Sequence, residues 1–99
     1  MIVSFDDLTT EDVFNGRYTK RVRTKLSKTL FEIAQKKLDM LNASFRLDDL
    51  KVPPGNRLEM LQGDLKGLHS IRINDQWRIT FKWVVGHAEN VKIVDYHRG

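Results

Sequence analysis

The sequence predicts a single α+β domain, with helices in its first half and an antiparallel sheet in its second half. A chain of 99 residues has the length of one domain. Apolar side chains recur at helical spacing between residues 24 and 42, and they alternate with polar side chains from residue 68 onward. Pro53 and Pro54, which cannot continue a helix, separate the two patterns. No linker or repeat divides the chain, so residues 1–99 are expected to form one domain.

The first half is expected to hold a short strand and two helices. Residues 2–5 begin with β-branched side chains and predict the strand. Thr9 or Thr10 is expected to cap a short helix that runs through Asn15. A long helix fits residues 24–42, because its apolar side chains lie on one face at a period of 3.6 residues. Those side chains are Leu26, Leu30, Ile33, Ala34, Leu38 and Leu41. Residues 44–50 predict one more short helical turn.

The second half is expected to form a meander of four antiparallel strands. The predicted strands are residues 57–61, 68–73, 76–83 and 90–96. Asn74 and Asp75 fit a two-residue hairpin turn, and Gly86 and His87 mark the next turn. The two prolines and the following Gly55 and Asn56 predict a loop before the first strand.

Alternation along these strands divides the sheet into two faces. Trp77, Ile79, Phe81 and Trp83 point to one face, which is therefore expected to cover the apolar stripe of the long helix. His69 falls on this face, where a core histidine with satisfied hydrogen bonds is expected. The opposite face collects Arg72, Arg78, Thr80, Lys82, Lys92 and Tyr96. An anion-binding floor and an ordinary solvated sheet surface are equally supported interpretations of that face.

Composition narrows the class of protein. The chain has no cysteine, which excludes disulfides and thiolate chemistry, and its three histidines lack metal-binding spacing. We therefore expect no metal and no cofactor. No run of about 20 apolar residues is present to cross a membrane, and the N-terminus lacks the features of a signal peptide. A cytoplasmic protein without membrane contact is expected.

Basic residues exceed acidic residues and are unevenly distributed. The net charge is +4 and the isoelectric point is about 9.6, a balance typical of proteins that bind polyanions. Residues 17–37 contain eight basic residues and one acid, Glu32, whereas the first fifteen residues contain four acids and no base. This segregation favours a directional electric field. The alternative for the lysines of the long helix is a solvated helix face.

Several segments together resemble one protein family. They are Pro53-Pro54-Gly55-Asn56-Arg57-Leu58-Glu59, Leu61-Gln62-Gly63-Asp64, Ser70-Ile71-Arg72-Ile73-Asn74-Asp75-Gln76-Trp77-Arg78-Ile79 and the ending Val94-Asp95-Tyr96-His97. The likeness covers essentially the whole chain and is to the HigB toxins of the RelE/ParE superfamily, which belong to bacterial type II toxin–antitoxin systems. It implies a RelE-like α+β fold, in which N-terminal helices pack on one face of a small, curved, mainly antiparallel sheet.

The resemblance also implies an activity and partners. It implies a toxin that cleaves messenger RNA on the ribosome, without a metal or cofactor, and so inhibits translation. A HigA-type helix-turn-helix antitoxin is the implied inhibitor, and the complex of the two is expected to bind operator DNA through the antitoxin. Two alternatives stay open: a non-catalytic co-repressor that only binds its antitoxin, and a gyrase poison of the ParE type.

RNA cleavage without a metal uses the ribose 2′-hydroxyl as nucleophile, so it needs a cationic clamp on the phosphate and groups that transfer protons. Arg78 is the expected clamp, because a guanidinium donates two parallel hydrogen bonds, and Arg72 shares its face. His97, Asp95 and Tyr96 are the candidates for proton transfer, and the identity of the base stays open. Other basic residues are expected to contact the RNA (Arg57, Lys66, Lys82, Lys92) or the ribosome (Lys20, Arg21, Arg23, Lys25, Lys28).

The chain departs from the family pattern at two places. Leu65 occupies the usual basic position of the loop Gly63-Asp64-Leu65-Lys66-Gly67, and Lys66 follows it. Glu59 and Gln62 stand where toxins of related branches carry a histidine and a lysine. The catalytic set of those relatives is therefore not transferred as a whole.

Overall fold

The computed structural model describes residues 1–96 of the chain. Within these residues, three α-helices come first: α1 spans Leu8–Phe14, α2 spans Lys20–Arg23 and α3 spans Lys28–Ala43. Short 3-10 helices lie at Leu47–Lys51, Pro54–Asn56 and Gly63–Leu65. The strands are β1 (Glu59–Met60), β2 (His69–Arg72), β3 (Trp77–Val84) and β4 (His87–Asp95). No helix in this part of the chain is both long enough and apolar enough to span a bilayer.

The sheet is an antiparallel meander. Over residues 1–96 its strand order is β1-β2-β3-β4, so each strand pairs with its neighbour in sequence. The predicted N-terminal strand is wrong in its extent. Ile2 and Phe5 form two single parallel bridges to β4, at Ala88 and Val91, without a continuous ladder between them.

The long helix begins later than the sequence predicts. Residues 20–23 form the separate helix α2, and the main-chain N–H of Leu26 still bonds back to the carbonyl of Val22. Ser27 then caps α3, since its hydroxyl accepts a hydrogen bond from the N–H of Leu30 at 3.2 Å. Leu26 is buried like its neighbours on α3, so the apolar spacing runs on across a break in the helix.

The short first helix is capped two or three residues earlier than expected. Asp7 is its N-cap, and the side-chain oxygen accepts from the N–H of Thr10 at 2.8 Å. Thr10, predicted as a possible cap, is instead fully buried, and its hydroxyl accepts a hydrogen bond from the N–H of Ile93 on β4. This bond ties α1 to the sheet.

The helices cover one face of the sheet, as predicted. Phe31, Ala34, Leu38 and Leu41 of α3 are buried in one cluster with side chains of the sheet. The sheet contributes Ile71, Ile79, Phe81, Val91 and Ile93 to this cluster. The observed architecture is therefore the predicted α+β arrangement of helices on one face of an antiparallel sheet.

A β-bulge explains why β4 is longer than predicted. Thr80 pairs with Lys92 and Lys82 pairs with Glu89, so Asn90 and Val91 together oppose Phe81. Asn90 has the left-handed φ of 55°. Because the extra residue breaks the alternation, Ala88 and Val91 are both buried although they lie three residues apart. The turn accordingly falls on Val85 and Gly86, both at positive φ, and not on Gly86 and His87.

The turn between β2 and β3 is wider than a two-residue hairpin. The N–H groups of Ile73 and Asn74 both donate to the carbonyl of Trp77. The side chain of Asn74 accepts from the N–H groups of Gln76 and Trp77, at 2.9 and 2.7 Å. An asparagine that binds the main chain in this way closes a longer loop without glycine.

Candidate active site

The sheet face opposite the helices carries two rows of functional side chains. Glu59, Ser70, Thr80 and Lys92 are direct partners across the four strands of residues 1–96. In the next row Arg72 pairs with Arg78, which in turn pairs with Val94. Since directly paired residues point to the same side of a sheet, the two predicted arginines lie next to each other on this face.

The middle of this face is buried. Arg78 is 3% exposed, Thr80 is 4% exposed and Ser70 is fully buried. The ring of Tyr96 covers Arg78, with the guanidinium carbon 5.1 Å from the ring centroid. An ordinary solvated sheet is therefore the wrong interpretation for the centre of the face, although Lys82 and Lys92 are exposed at its margins.

Buried polar atoms without hydrogen-bond partners are concentrated here. Among residues 1–96, those on this face are Nε and Nη1 of Arg78, Nε of Arg72, Oγ of Ser70 and Oε1 of Glu59. Leaving such a group unsatisfied costs about 1–3 kcal/mol. Three of the five atoms are guanidinium donors, one belongs to a hydroxyl and one to a carboxylate. The set is complementary to a ligand that offers both anionic oxygens and a hydroxyl group.

Arg72 is held by an acidic neighbour in the β2–β3 turn. Its Nη2 lies 2.5 Å from Oδ1 of Asp75. The hydrogen bond and charge of Arg72 lower the pKa of Asp75, with smaller effects from the charges of Arg57 and Arg78. Of the three arginines, Arg72 is the one in direct contact with this exposed carboxylate. The alternative to a role as clamp is a surface ion pair of Arg78 with Asp75 or Asp95, and of these two acids Asp75 forms its ion pair with Arg72 instead.

The positive charge of Arg72 also reaches α3. Burial lowers the pKa of Lys37, and the charge of Arg72 lowers it further. Nζ of Lys37 donates to Oδ1 of the buried Asn56. Lys37 is therefore a further cation within electrostatic reach of Arg72.

Two of the three predicted proton-transfer residues lie at the end of β4, but they point to opposite faces of the sheet, because Asp95 is the partner of Trp77 whereas Tyr96 follows Val94, the partner of Arg78. Asp95 pairs with Trp77 and accepts a hydrogen bond from Nε2 of Gln76 at 3.2 Å. The next residue, Tyr96, lies over Arg78, and its N–H donates to the carbonyl of Gln76. His97 lies outside residues 1–96, so its predicted role stays a prediction.

A cleft of about 330 Å³ opens beside the arginines. Its walls come from the N-terminal segment, the loop before β2, and strands β3 and β4. The lining residues are Asp6, Leu65, Leu68, Thr80, Lys92, Val94, Asp95 and Tyr96. Leu65, which replaces the usual basic residue of the family pattern, thus contributes an apolar wall to this cleft.

The remaining basic residues fall into two groups. Arg57 and Lys66 are exposed in loops, and Lys66 is not among the residues that line the cleft. The expected ribosome-binding residues belong to α2 and its surroundings, which pack against α1. Of these, Arg21 bonds to the buried Asp12 at 2.9 Å, and Lys28 lies over the ring of Tyr18. Lys20, Arg23 and Lys25 are exposed.

Two site residues were not identified as candidates from the sequence. Strand β1 has only two residues, too few for alternation to assign Glu59 to a face. Ser70 alternates to the correct face, but a serine carries no charge that would single it out. His69 lies on the opposite face, stacked on Phe81. The expectation of satisfied hydrogen bonds was wrong for His69, because its Nδ1 has no partner in the described part of the chain.

Comparison with known sequences gives the family. The family model for the RelE-like HigB toxins of type II toxin–antitoxin systems matches residues 4–97. The chain belongs to the HigB-like toxin family. Toxin HigB-1 of Vibrio cholerae is 38% identical over 99 residues, which covers 99% of each protein. The protein named Endoribonuclease HigB from Proteus vulgaris is 42% identical over 41 residues, or 41% of this chain and 45% of that one.

Solved structures give the fold of this HigB-like toxin independently. A YafQ variant from E. coli superposes with a TM-score of 0.64 over 96% of this chain and 93% of its own, at 14% identity. YoeB, in the YoeB–YefM complex from Staphylococcus aureus, has a TM-score of 0.58 over 98% of each chain, also at 14% identity. The predicted HigB family and the predicted RelE-like fold are both confirmed.

Proposed function

We propose that this HigB-like toxin is an endoribonuclease that cuts messenger RNA on the ribosome. The observation that carries the proposal is the cluster of buried donors of Arg72 and Arg78 that find no partner within residues 1–96, with Ser70 and Glu59 beside them. A phosphodiester next to a ribose 2′-hydroxyl offers the anionic oxygens and the hydroxyl that this cluster lacks. The name of the Proteus vulgaris relative supports the same activity.

In the proposed reaction the 2′-oxygen attacks the phosphorus atom and the bond to the 5′-oxygen breaks. The products are a 2′,3′-cyclic phosphate and a 5′-hydroxyl. Arg78 stabilises the negative charge that develops on the phosphate oxygens, and Arg72 assists it from the neighbouring strand. A base takes the proton of the 2′-hydroxyl, and an acid returns a proton to the 5′-oxygen. Asp95, Tyr96 and His97 remain the candidates predicted from the sequence.

Glu59 joins these candidates as a base. Its Oε1 is buried on the same face as both arginines and has no partner among the residues that the structure describes. A carboxylate accepts a proton without a metal. We expect Glu59→Gln to slow single-turnover cleavage by about 100-fold and to flatten the dependence of rate on pH. Gln62→Ala, in the exposed segment after β1, is the matched control. If Glu59→Gln cuts at the parent rate with the parent pH profile, the base is one of the other three residues.

Membership of a toxin–antitoxin family supports an antitoxin partner. We propose that a HigA-type helix-turn-helix antitoxin binds this chain and that their complex binds operator DNA. The exposed cations Lys20, Arg23 and Lys25 supply a surface for ribosomal RNA phosphates, while Arg57, Lys82 and Lys92 guide the message. These partners belong to the cytoplasm.

The deciding experiment is translation of a defined message in a purified system, with mapping of the cut ends. We expect cleavage on programmed ribosomes and nearly intact RNA when ribosomes are omitted. Equal cleavage of free RNA would refute ribosome dependence. If no message is cut but gyrase is inhibited, the chain is a ParE-type poison. If neither occurs and only antitoxin binding remains, it is a co-repressor.

A further inference from the structure

The cleft at the end of β4 is lined by residues that neighbour the arginine cluster. Thr80 lines the cleft and is also the direct β3 partner of Ser70. Tyr96 lines the cleft and covers Arg78 with its ring. A phosphate held by the two arginines would therefore place an adjoining nucleotide at the cleft. This step rests on the proposed function.

The size and lining of the cleft suit a nucleobase. Its volume of about 330 Å³ is at the lower end of ligand sites. Leu65, Leu68 and Val94 offer apolar surface to the flat faces of a base, and Tyr96 offers an aromatic ring. Lys92, exposed at the margin, offers a cation to the backbone of the same nucleotide.

The carboxylates that line the cleft favour a nucleobase with hydrogen-bond donors on its edge. Asp6 and Asp95 both line it, and an ionised carboxylate only accepts hydrogen bonds. Asp95 already accepts from Gln76. Asp6 is exposed, and its main-chain N–H is fixed to the carbonyl of Val91 at 2.9 Å. Asp6 is thus held against the edge of β4 with its carboxylate available to the contents of the cleft.

We propose that this cleft binds the nucleobase next to the cleaved phosphate and that Asp6 selects guanine there. Guanine presents two adjacent donors, N1–H and the N2 amino group, which match the two oxygens of a carboxylate. Adenine and cytosine present one amino group beside a ring nitrogen that accepts. Uracil presents one N–H between two carbonyl oxygens, which repel a carboxylate.

The test removes the N2 amino group of guanine from the RNA and, separately, the carboxylate of Asp6 from the protein. Defined messages carry guanosine or inosine, which lacks the N2 amino group, at the nucleotide on either side of the mapped cut. Single-turnover rates are measured on programmed ribosomes below saturation. We expect the parent to prefer guanosine over inosine by about tenfold at one of the two positions. Asp6→Ala and Asp6→Asn are expected to cut both messages at equal rates.

Controls separate base selection from the nuclease activity. Asp39→Asn changes the charge equally on the exposed side of α3 and should keep the parent preference, and circular dichroism checks that every variant folds. Binding of short RNAs with guanosine or inosine, measured by fluorescence anisotropy, reports selection without cleavage. If the parent cuts no message yet binds guanosine RNA more tightly, the nuclease proposal fails and the cleft assignment stands. If the parent treats the two bases alike in both assays, or if Asp6→Ala keeps the preference, the assignment of Asp6 is overturned.

Discussion

Arg78 shows how a single side chain departs from what its sequence context suggests. Alternation places Arg78 correctly on the polar face of the sheet, but side chains on a polar face are ordinarily expected to be exposed to solvent. The structure instead buries its guanidinium beneath Tyr96, and Nε and Nη1 have no hydrogen-bond partner in residues 1–96. Burial strengthens the attraction between a guanidinium and a phosphate, because the surrounding medium screens charge less than water does. The same burial makes the position intolerant of a flexible, strongly hydrated ammonium.

We expect Arg78→Ala to reduce single-turnover cleavage on programmed ribosomes by about 100-fold or more, since one charge-stabilising donor commonly contributes about 3 kcal/mol to a transition state. Arg78→Lys should restore little, because it lacks the paired donors. His97→Ala is expected to lose activity too, and the double variant should lose less than the product of the single losses. Lys36→Ala on the exposed side of α3 is the control. Parent-like cleavage by Arg78→Ala would move the clamp to Arg72.

His69 supplies a second prediction for a single side chain, this time for stability. Partial burial of the imidazole lowers the pKa of His69. The unfolded chain therefore takes up a proton near pH 6.5, while the folded chain resists it. Stability contributed by neutral His69 is present above that pH and is lost as the pH falls through about 6.5 toward the lower folded pKa.

Urea denaturation between pH 7.5 and 5.5 measures this loss. His69→Phe keeps a ring against Phe81 and removes the titrating group, so its free energy of unfolding should fall less over that interval than that of the parent. His87→Gln, at an exposed histidine, is the control. A parent-like pH dependence of His69→Phe would show that burial of this imidazole does not affect stability.

Most of the helices and strands could be predicted from periodicity, and the errors lie at their ends. Apolar spacing runs without interruption from Leu26 into α3, although the helix itself begins only after Ser27. The spacing of apolar residues shows which side chains are buried. The N-cap residue, in contrast, marks where the main-chain hydrogen bonds of the helix begin. Alternation likewise missed the first three residues of β4, because the bulge at Asn90 shifts the buried positions by one residue. The position of Glu59 on the arginine face could not be predicted either. It depends on pairing with Ser70, which is distant in sequence, and the two residues of β1 show no pattern of alternation.

The cap of α3 is directly testable. Ser27→Ala removes the acceptor for the N–H of Leu30, and we expect the free energy of unfolding to fall by about 1 kcal/mol. Ser27→Asp should restore it, because a carboxylate also accepts this bond and favours a helix N-terminus. Thr29→Ala, at an exposed position of the first turn, is the matched control. Equal stability of Ser27→Ala and the parent would indicate that water replaces the hydroxyl.

Charge is distributed in the folded molecule differently from its distribution along the chain. The acidic N-terminal segment and the basic segment meet in space, because buried Asp12 bonds to Arg21 and also approaches Arg17 at 3.9 Å. The hydroxyl of Thr19 donates to Oδ2 of Asp12 at 2.9 Å, the same oxygen that Arg21 binds. Part of the basic segment therefore holds α2 to α1. Arg21, expected to contact the ribosome, has a structural partner, and the exposed Lys20, Arg23 and Lys25 are the better candidates.

We expect charge reversal at Lys20, Arg23 and Lys25 to weaken ribosome binding and to flatten its dependence on salt. Each lost phosphate contact removes roughly one unit from the slope of log affinity against log salt concentration. The equilibrium is measured by sedimentation of the toxin with ribosomes over a series of salt concentrations. Lys51→Glu, at a residue paired with exposed Asp48, is the control. An unchanged slope in the triple variant would identify these residues as a solvated face.

The cluster of buried donors around Arg78, which have no partner in the described part of the chain, affects how this protein would evolve in the laboratory. Each buried donor that awaits a ligand makes the empty protein less stable than an apolar filling of the same volume would. A library screened only for heat resistance should therefore accumulate methionine or leucine at positions 72 and 78, and its winners should be harmless to the cells that make them. A second screen, for growth of host cells that express the toxin, would select the same substitutions. The two screens should therefore converge, although one measures thermal stability and the other measures cell growth.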